Sequence, residues 1–191
     1  MNTPHSHPEP VDSAPSDSRR RMLLAGAGVV AGLVGVGTAW WRTQTPDAPA
    51  PTPPVDGFWA NQFDTPDGGK LNLGAFQGHP LLVNFWATWC APCVDELPLI
   101  NDFYRQNKAN GWQVIGLAVD KLAPVQAFLQ KMPLEFPVGL AGLTGAELSR
   151  GLGNLAGGLP FSVVFARDGM VLQRKMGRLT PADLDNWLRL K

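Results

Sequence analysis

"FWATWCAPCVDELP", Phe85–Pro98, holds both cysteines of this 191-residue chain, two residues apart. An unbroken apolar run, "LLVNFWA" (Leu81–Ala87), leads into the pair. Such a run suits a central strand buried on both faces. Past the pair, Val94, Leu97, Ile100 with Asn101, and Tyr104 recur at helical spacing. The cysteines therefore stand where a strand hands over to a helix. Three readings are open: half of a zinc site, a structural staple or a redox couple.

Outward from the motif, "WQVIGLAV" (Trp112–Val119) reads as a second buried strand, so the intervening helix crosses over the sheet. Pro124 can open a further helix with Val125, Phe128, Leu129 and Met132 on one face. "FSVVFA" and "MVLQRKM" flank Arg167-Asp168-Gly169, and Asp-Gly signals a hairpin turn. Thr180-Pro181 starts a last helix with Leu184, Trp187 and Leu188 apolar. The order β-α-β-α, hairpin, α predicts an α/β fold, a mixed sheet sandwiched by helices.

The N-terminal quarter differs in kind: nine of the 18 prolines precede Gly57. Residues 1–21 are polar, without apolar periodicity, and read as a disordered cytoplasmic tail. Residues 22–41, "MLLAGAGVVAGLVGVGTAWW", carry no charge. A helix of that length reaches about 30 Å, the thickness of a bilayer core. Arg19, Arg20 and Arg21 lie before it and only Arg42 directly after it. That bias predicts a single-pass inner-membrane anchor with everything after Trp41 in the periplasm. A cleaved secretory signal and a twin-arginine export signal ("SRRRMLL") are the alternatives, and all three export the domain. Residues 42–56 form a Pro-rich linker with a reach of roughly 45 Å. Residues 57–191 form the domain. Charge is balanced, 16 basic against 16 acidic residues, which gives no footprint for a nucleic-acid partner.

Chemistry narrows the readings of the cysteines. Structural zinc needs four ligands and CxxC supplies two. His5 and His7 lie in the polar tail, and His79 precedes a strand whose span separates it from Cys90 by roughly 20 Å. No metal is expected. A disulfide closing so small a loop removes little unfolded-chain entropy, so a staple is a poor use of the pair. The redox reading is favoured, with no cofactor beyond the dithiol itself. Backbone N–H groups and the helix dipole point at the first sulfur and favour its thiolate. Cys90, at the turn, is expected to be the exposed attacker and Cys93, one turn in, the buried resolving thiol. Pro92 fits the first helical turn and Pro98 is expected to kink the helix.

"VNFWATWCAPCVDELP" resembles the signature of the TlpA/ResA family, membrane-anchored thioredoxin-like thiol–disulfide oxidoreductases of bacteria. The resemblance extends over the domain and implies a thioredoxin fold with an added N-terminal β-hairpin near residues 58–73. It implies that Pro160, within "GGLPFSVVFARDG", is a cis-proline presenting backbone to a substrate chain, with Leu159 and Pro92 on the same substrate-binding edge. Phe161 stands where the superfamily usually has Thr. Trp89 resembles the indole beside the attacking cysteine; ordinary core packing is its alternative. Asn84 replaces the buried Asp of thioredoxin itself, and Glu96 matches a family glutamate governing thiol ionisation, against the plain reading of a solvated acid. Asp95 reads as solvated. The implied partners are protein disulfide substrates and a membrane electron donor that re-reduces the pair. An oxidase or isomerase would use the same residues. A copper-delivery module would want a further His or Met beside the motif. A peroxidase, and with it antioxidant activity, is disfavoured because Thr88 is out of register by one in the P-x-x-x-T-x-x-C pattern.

Overall fold

A computed structural model describes residues 51–54 and 56–190. The expected tail (1–21), anchor (22–41) and most of the linker (42–56) lie outside the described residues. Among the described residues no helix is long and apolar enough to cross a membrane.

The two apolar runs become β3 (Leu81–Trp86) and β4 (Gln113–Ala118), parallel and in register from Leu81 opposite Gln113 to Trp86 opposite Ala118. Two short strands, β1 (Gln62–Asp64) and β2 (Lys70–Asn72), form the expected N-terminal hairpin. With β5 (Val138–Leu140), β6 (Phe161–Phe165) and β7 (Val171–Met176) they make one mixed sheet, ordered β2-β1-β5-β4-β3-β6-β7. The β6–β7 turn uses Asp168-Gly169 as read from sequence. Gly169 takes φ +85° there, and Asp168 accepts the Met170 N–H.

Strand alternation sorts the core into two layers. Even positions Leu82 and Trp86 of β3, with Val114 and Val164, face helices α1 (Ala91–Asn107), α2 (Leu122–Lys131) and α4 (Pro181–Trp187). Odd positions Leu81, Val83 and Phe85 face the N-terminal segment and α3 (Gly142–Gly151) through Phe58, Leu73 and Leu148. Asn84 and Ser162 share the even register, so both aim polar groups at the α1 layer. That parity places the site.

Several expectations shift. In α1 the deep residues are Cys93, Glu96, Leu97, Ile100 and Phe103, with Tyr104 only half-buried. Pro98 lies inside the helix as expected, and the helix runs on to Asn107. α2 starts at Leu122, two residues before Pro124. A proline in the first turn forfeits no intrahelical bond, so either start is sterically open. β5 and α3 were not foreseen. The Pro-rich stretch is tied to the domain before it ends: Thr52 exchanges backbone hydrogen bonds with Val171 at 3.0 and 2.7 Å, and its hydroxyl accepts from Arg174.

Candidate active site

β3 delivers the chain to the site. After Trp86 it turns sharply, with the Cys90 N–H donating to the Ala87 carbonyl at 3.2 Å. Cys90 is the N-cap of α1, and its own carbonyl accepts from Cys93 and Val94 at 3.0 and 3.1 Å. Pro92 sits in the first helical turn, where it has no backbone partner to lose, and is exposed. Cys90 and Cys93 are joined by a disulfide. Cys90 is 6 % exposed and Cys93 fully buried. The expectation of an exposed Cys90 is thus corrected in degree: in the disulfide form both residues are covered, and Cys90 alone retains a reachable edge.

Trp89 is 69 % exposed, so core packing is not its role. It has company. The five large apolar side chains exposed among the described residues are Trp89, Leu122, Leu143, Leu155 and Met176. Trp86, Ala118 and Leu140 stand abreast at the ends of β3, β4 and β5. Phe161 of β6 lies between Phe85 and Met176 on the same edge. Trp89, Leu122 and Leu143 follow the first three strand ends, Leu155 lies on the loop into β6, and Met176 closes β7. All five belong to segments that meet this one edge of the sheet.

Leu159–Pro160 is a cis peptide. Leu159 is half-buried and packs against both core layers; Pro160 is buried, its carbonyl accepting from Gly177 N–H at 2.9 Å. Phe161 departs from the usual Thr without reaching the α1 layer. Its odd register turns the ring into the opposite layer, 6.0 Å from Phe85 between ring centres.

Glu96 follows Cys93 by one turn of α1 and is fully buried, which overturns the solvated reading. Its Oε2 accepts the Leu179 N–H at 2.5 Å and its Oε1 accepts Asn84 Nδ2 at 2.8 Å. Asn84 Nδ2 also donates to Ser162 Oγ at 3.0 Å, while Asn84 Oδ1 is buried without a partner. Burial raises the Glu96 pKa above the ordinary carboxylate value; the Leu179 and Asn84 donors and the Arg178 charge oppose it, and Asp183 adds to it. A carboxyl so placed holds its proton more firmly than a solvated one. Asp95, by contrast, is exposed and faces Arg178 at 3.7 Å, as its sequence reading had it.

Ser162 was missed in the sequence, although its even register on β6 places it opposite Asn84. Thr88 and Asp120 were missed as well. They join the ends of β3 and β4 through two hydrogen bonds to one carboxylate oxygen. Among the described residues no three His, Cys, Asp or Glu side chains converge as a metal site would require.

The redoxin family model matches residues 47–188. The thiol-disulfide oxidoreductase ResA of Bacillus thuringiensis subsp. konkukian is 34% identical over 124 residues, 64% of this chain and 69% of that protein. ResA of Geobacillus kaustophilus is 27% identical over 122 residues, 63% and 68% of the two chains. Among solved structures, a thiol:disulfide interchange protein of the thioredoxin family from Chlorobium tepidum superposes with a TM-score of 0.63 at 27% identity, over 73% of this chain and 95% of that one. A thioredoxin-related protein from Neisseria meningitidis serogroup B gives 0.61 at 27%, over 68% and 97%.

Proposed function

The chain belongs to the redoxin family and is a thiol–disulfide oxidoreductase of thioredoxin-like fold, and on that premise we propose that it reduces disulfides of exported proteins outside the cytoplasm. The observation that carries this reading is the placement of the Cys90–Cys93 pair. It caps the helix that follows β3, cis-Pro160 immediately precedes the paired strand β6, and the exposed apolar side chains lie on segments that meet the same edge of the sheet. An apolar rim suits a disulfide-bearing polypeptide better than a small hydrophilic thiol.

In the reduced enzyme the Cys90 thiolate attacks one sulfur of the client disulfide. That bond breaks, an enzyme–client disulfide forms, and the displaced client sulfur leaves as a thiolate and takes up a proton. Glu96 then accepts the Cys93 proton. The Cys93 sulfur attacks Cys90 Sγ, the mixed disulfide breaks, and the second client thiol departs. The two electrons of the enzyme dithiol now reside in the client, and the enzyme is left as the disulfide. A membrane dithiol donor must restore it.

The direction follows from the intervening residues. Strong oxidants owe their potential to an over-stabilised reduced form, and Ala91-Pro92 supplies no His or Lys to stabilise a thiolate. The location rests on the uncharged stretch 22–41 with Arg19–Arg21 before it. Replacing Cys93 with Ser in the native organism removes the resolving sulfur. Mixed disulfides through Cys90 should then accumulate and identify the client. Recovery of none, from cells growing under oxidising conditions, sinks the exchange mechanism.

A further inference from the structure

The Glu96 network lies behind Cys93. The attacking sulfur has a different support. The four residues Ala87–Cys90 form the turn closed by the Cys90 N–H, and Thr88 is its second residue. Both of Thr88's polar hydrogens run to one atom: its N–H donates to Asp120 Oδ2 at 3.0 Å and its hydroxyl donates to the same oxygen at 2.5 Å. The other oxygen, Oδ1, accepts the Lys121 N–H at 2.7 Å. Asp120 stands just past the end of β4, and one residue earlier the Val119 N–H donates to the Trp86 carbonyl at 2.8 Å. The turn that presents Cys90 is therefore fastened to its neighbour strand at two successive points.

Burial works against the Asp120 charge, but the Thr88 hydroxyl, the Lys121 and Thr88 N–H groups and the Lys121 ammonium outweigh it. They hold its pKa below the usual carboxylate value, so it is an anion wherever the enzyme works. We propose that Asp120 is a positioning residue for the attacking sulfur: it fixes the Cys90 turn, and its fixed negative charge disfavours the Cys90 thiolate, holding the couple toward the reducing side. The proposal deepens the reductase reading and rests on it for its biological sense.

A disulfide carries no charge, whereas the reduced pair carries part of a thiolate on Cys90. A nearby anion therefore penalises only the reduced form, and electrons leave it more readily. The ends of a four-residue turn lie within about 7 Å, which puts the Cys90 sulfur on the order of 10 Å from the carboxylate. At that separation a unit charge shifts an equilibrium by about twofold at the dielectric of water and about fifteenfold at an effective dielectric of about 20, so a part-exposed carboxylate should act between these limits, at about three- to tenfold. The exposed Lys121 ammonium offsets part of the field. The α1 dipole acts in the opposite sense on the same sulfur.

The test compares three variants of the full chain, equilibrated with glutathione buffers and probed by alkylation of Cys90 across pH. Asp120→Asn keeps an acceptor for Thr88 but removes the charge. It should move the equilibrium three- to tenfold toward the dithiol and bring the onset of Cys90 alkylation to lower pH. Asp120→Glu keeps the charge and should stay within twofold of the parent. Thr88→Val keeps the charge and loosens the turn; it should slow exchange while leaving the equilibrium within twofold. No shift in Asp120→Asn, or a shift toward the disulfide, overturns the electrostatic role. Equal shifts in Asp120→Asn and Thr88→Val overturn it too, since loosening alone would then suffice. The parent's own equilibrium is a separate reading: a value among strong oxidants defeats the reductase function but leaves the variant-to-parent difference as the measure of Asp120.

Discussion

Two carboxylates flank the disulfide under opposite conditions. Glu96, one turn beyond Cys93, is fully buried, and burial pushes its pKa up despite two donors. Asp120, beneath the turn before Cys90, is part-exposed, and its hydrogen bonds prevail over burial and pull its pKa down. The same functional group is thus pushed toward its protonated form on one side of the pair and toward its charged form on the other. Environment, rather than residue type, assigns the roles.

The contrast can be broken most forcefully at Glu96. Glu96→Leu leaves the Leu179 N–H without its acceptor and strips the Asn84 amide of one of its two, Ser162 Oγ remaining, which should cost about 2–4 kcal/mol of stability, read from urea unfolding at neutral pH. An unchanged midpoint would mean that the buried network contributes nothing. Glu96→Gln is gentler on the fold and harsher on the chemistry. With no base for Cys93, resolution of the mixed disulfide should slow about 10²-fold, seen by rapid quenching, while the first attack by Cys90 keeps its rate. If both steps slowed alike, Glu96 would not act through Cys93.

The pH dependence of stability sharpens the comparison by sign. Glu96, raised in the folded state, contributes stability that is complete below its unfolded pKa, near 4.5, and is lost as pH rises through its folded value. Asp120, lowered in the folded state, contributes stability that is present above its unfolded pKa, near 3.8, and is lost as pH falls through its folded value. Unfolding free energies of Glu96→Gln and Asp120→Asn relative to the parent should therefore change with pH in opposite directions. Parallel slopes would erase the distinction. The smallest effect belongs to Thr88→Val, which removes one part-buried hydrogen bond and should lower stability by about 0.5–1.5 kcal/mol.

The apolar runs made β3 and β4 legible, since their strand length and their aromatic and β-branched residues suit strands buried on both faces, and Asp168-Gly169 announced the β6–β7 turn. β5 and α3 were hidden for the opposite reason. β5 has three residues, and α3 carries glycines at positions 142, 145 and 151, each unfavourable to a helix, so packing rather than propensity makes them. In the site, Cys90 and Cys93 spoke through their spacing, whereas the cis state of Leu159–Pro160 was available only through family resemblance. Ser162 and Asp120 were illegible for a common reason. Each acts through a partner 78 or 32 residues away, and a contact across strands leaves no periodic trace in one segment.

The borders of the sheet matter for an enzyme whose substrates are other protein chains. An outer strand with free N–H and C=O groups is a template on which a passing segment can add itself. Here β2 has only three residues and bears Lys70 paired with Asp64, and β7 is met by the chain's own Thr52, secured by Arg174. The outer strands are thereby blunted against recruitment into aggregates, β2 by its shortness and charge and β7 at Val171. The molecule can meet another protein's disulfide without being knitted into that protein's backbone.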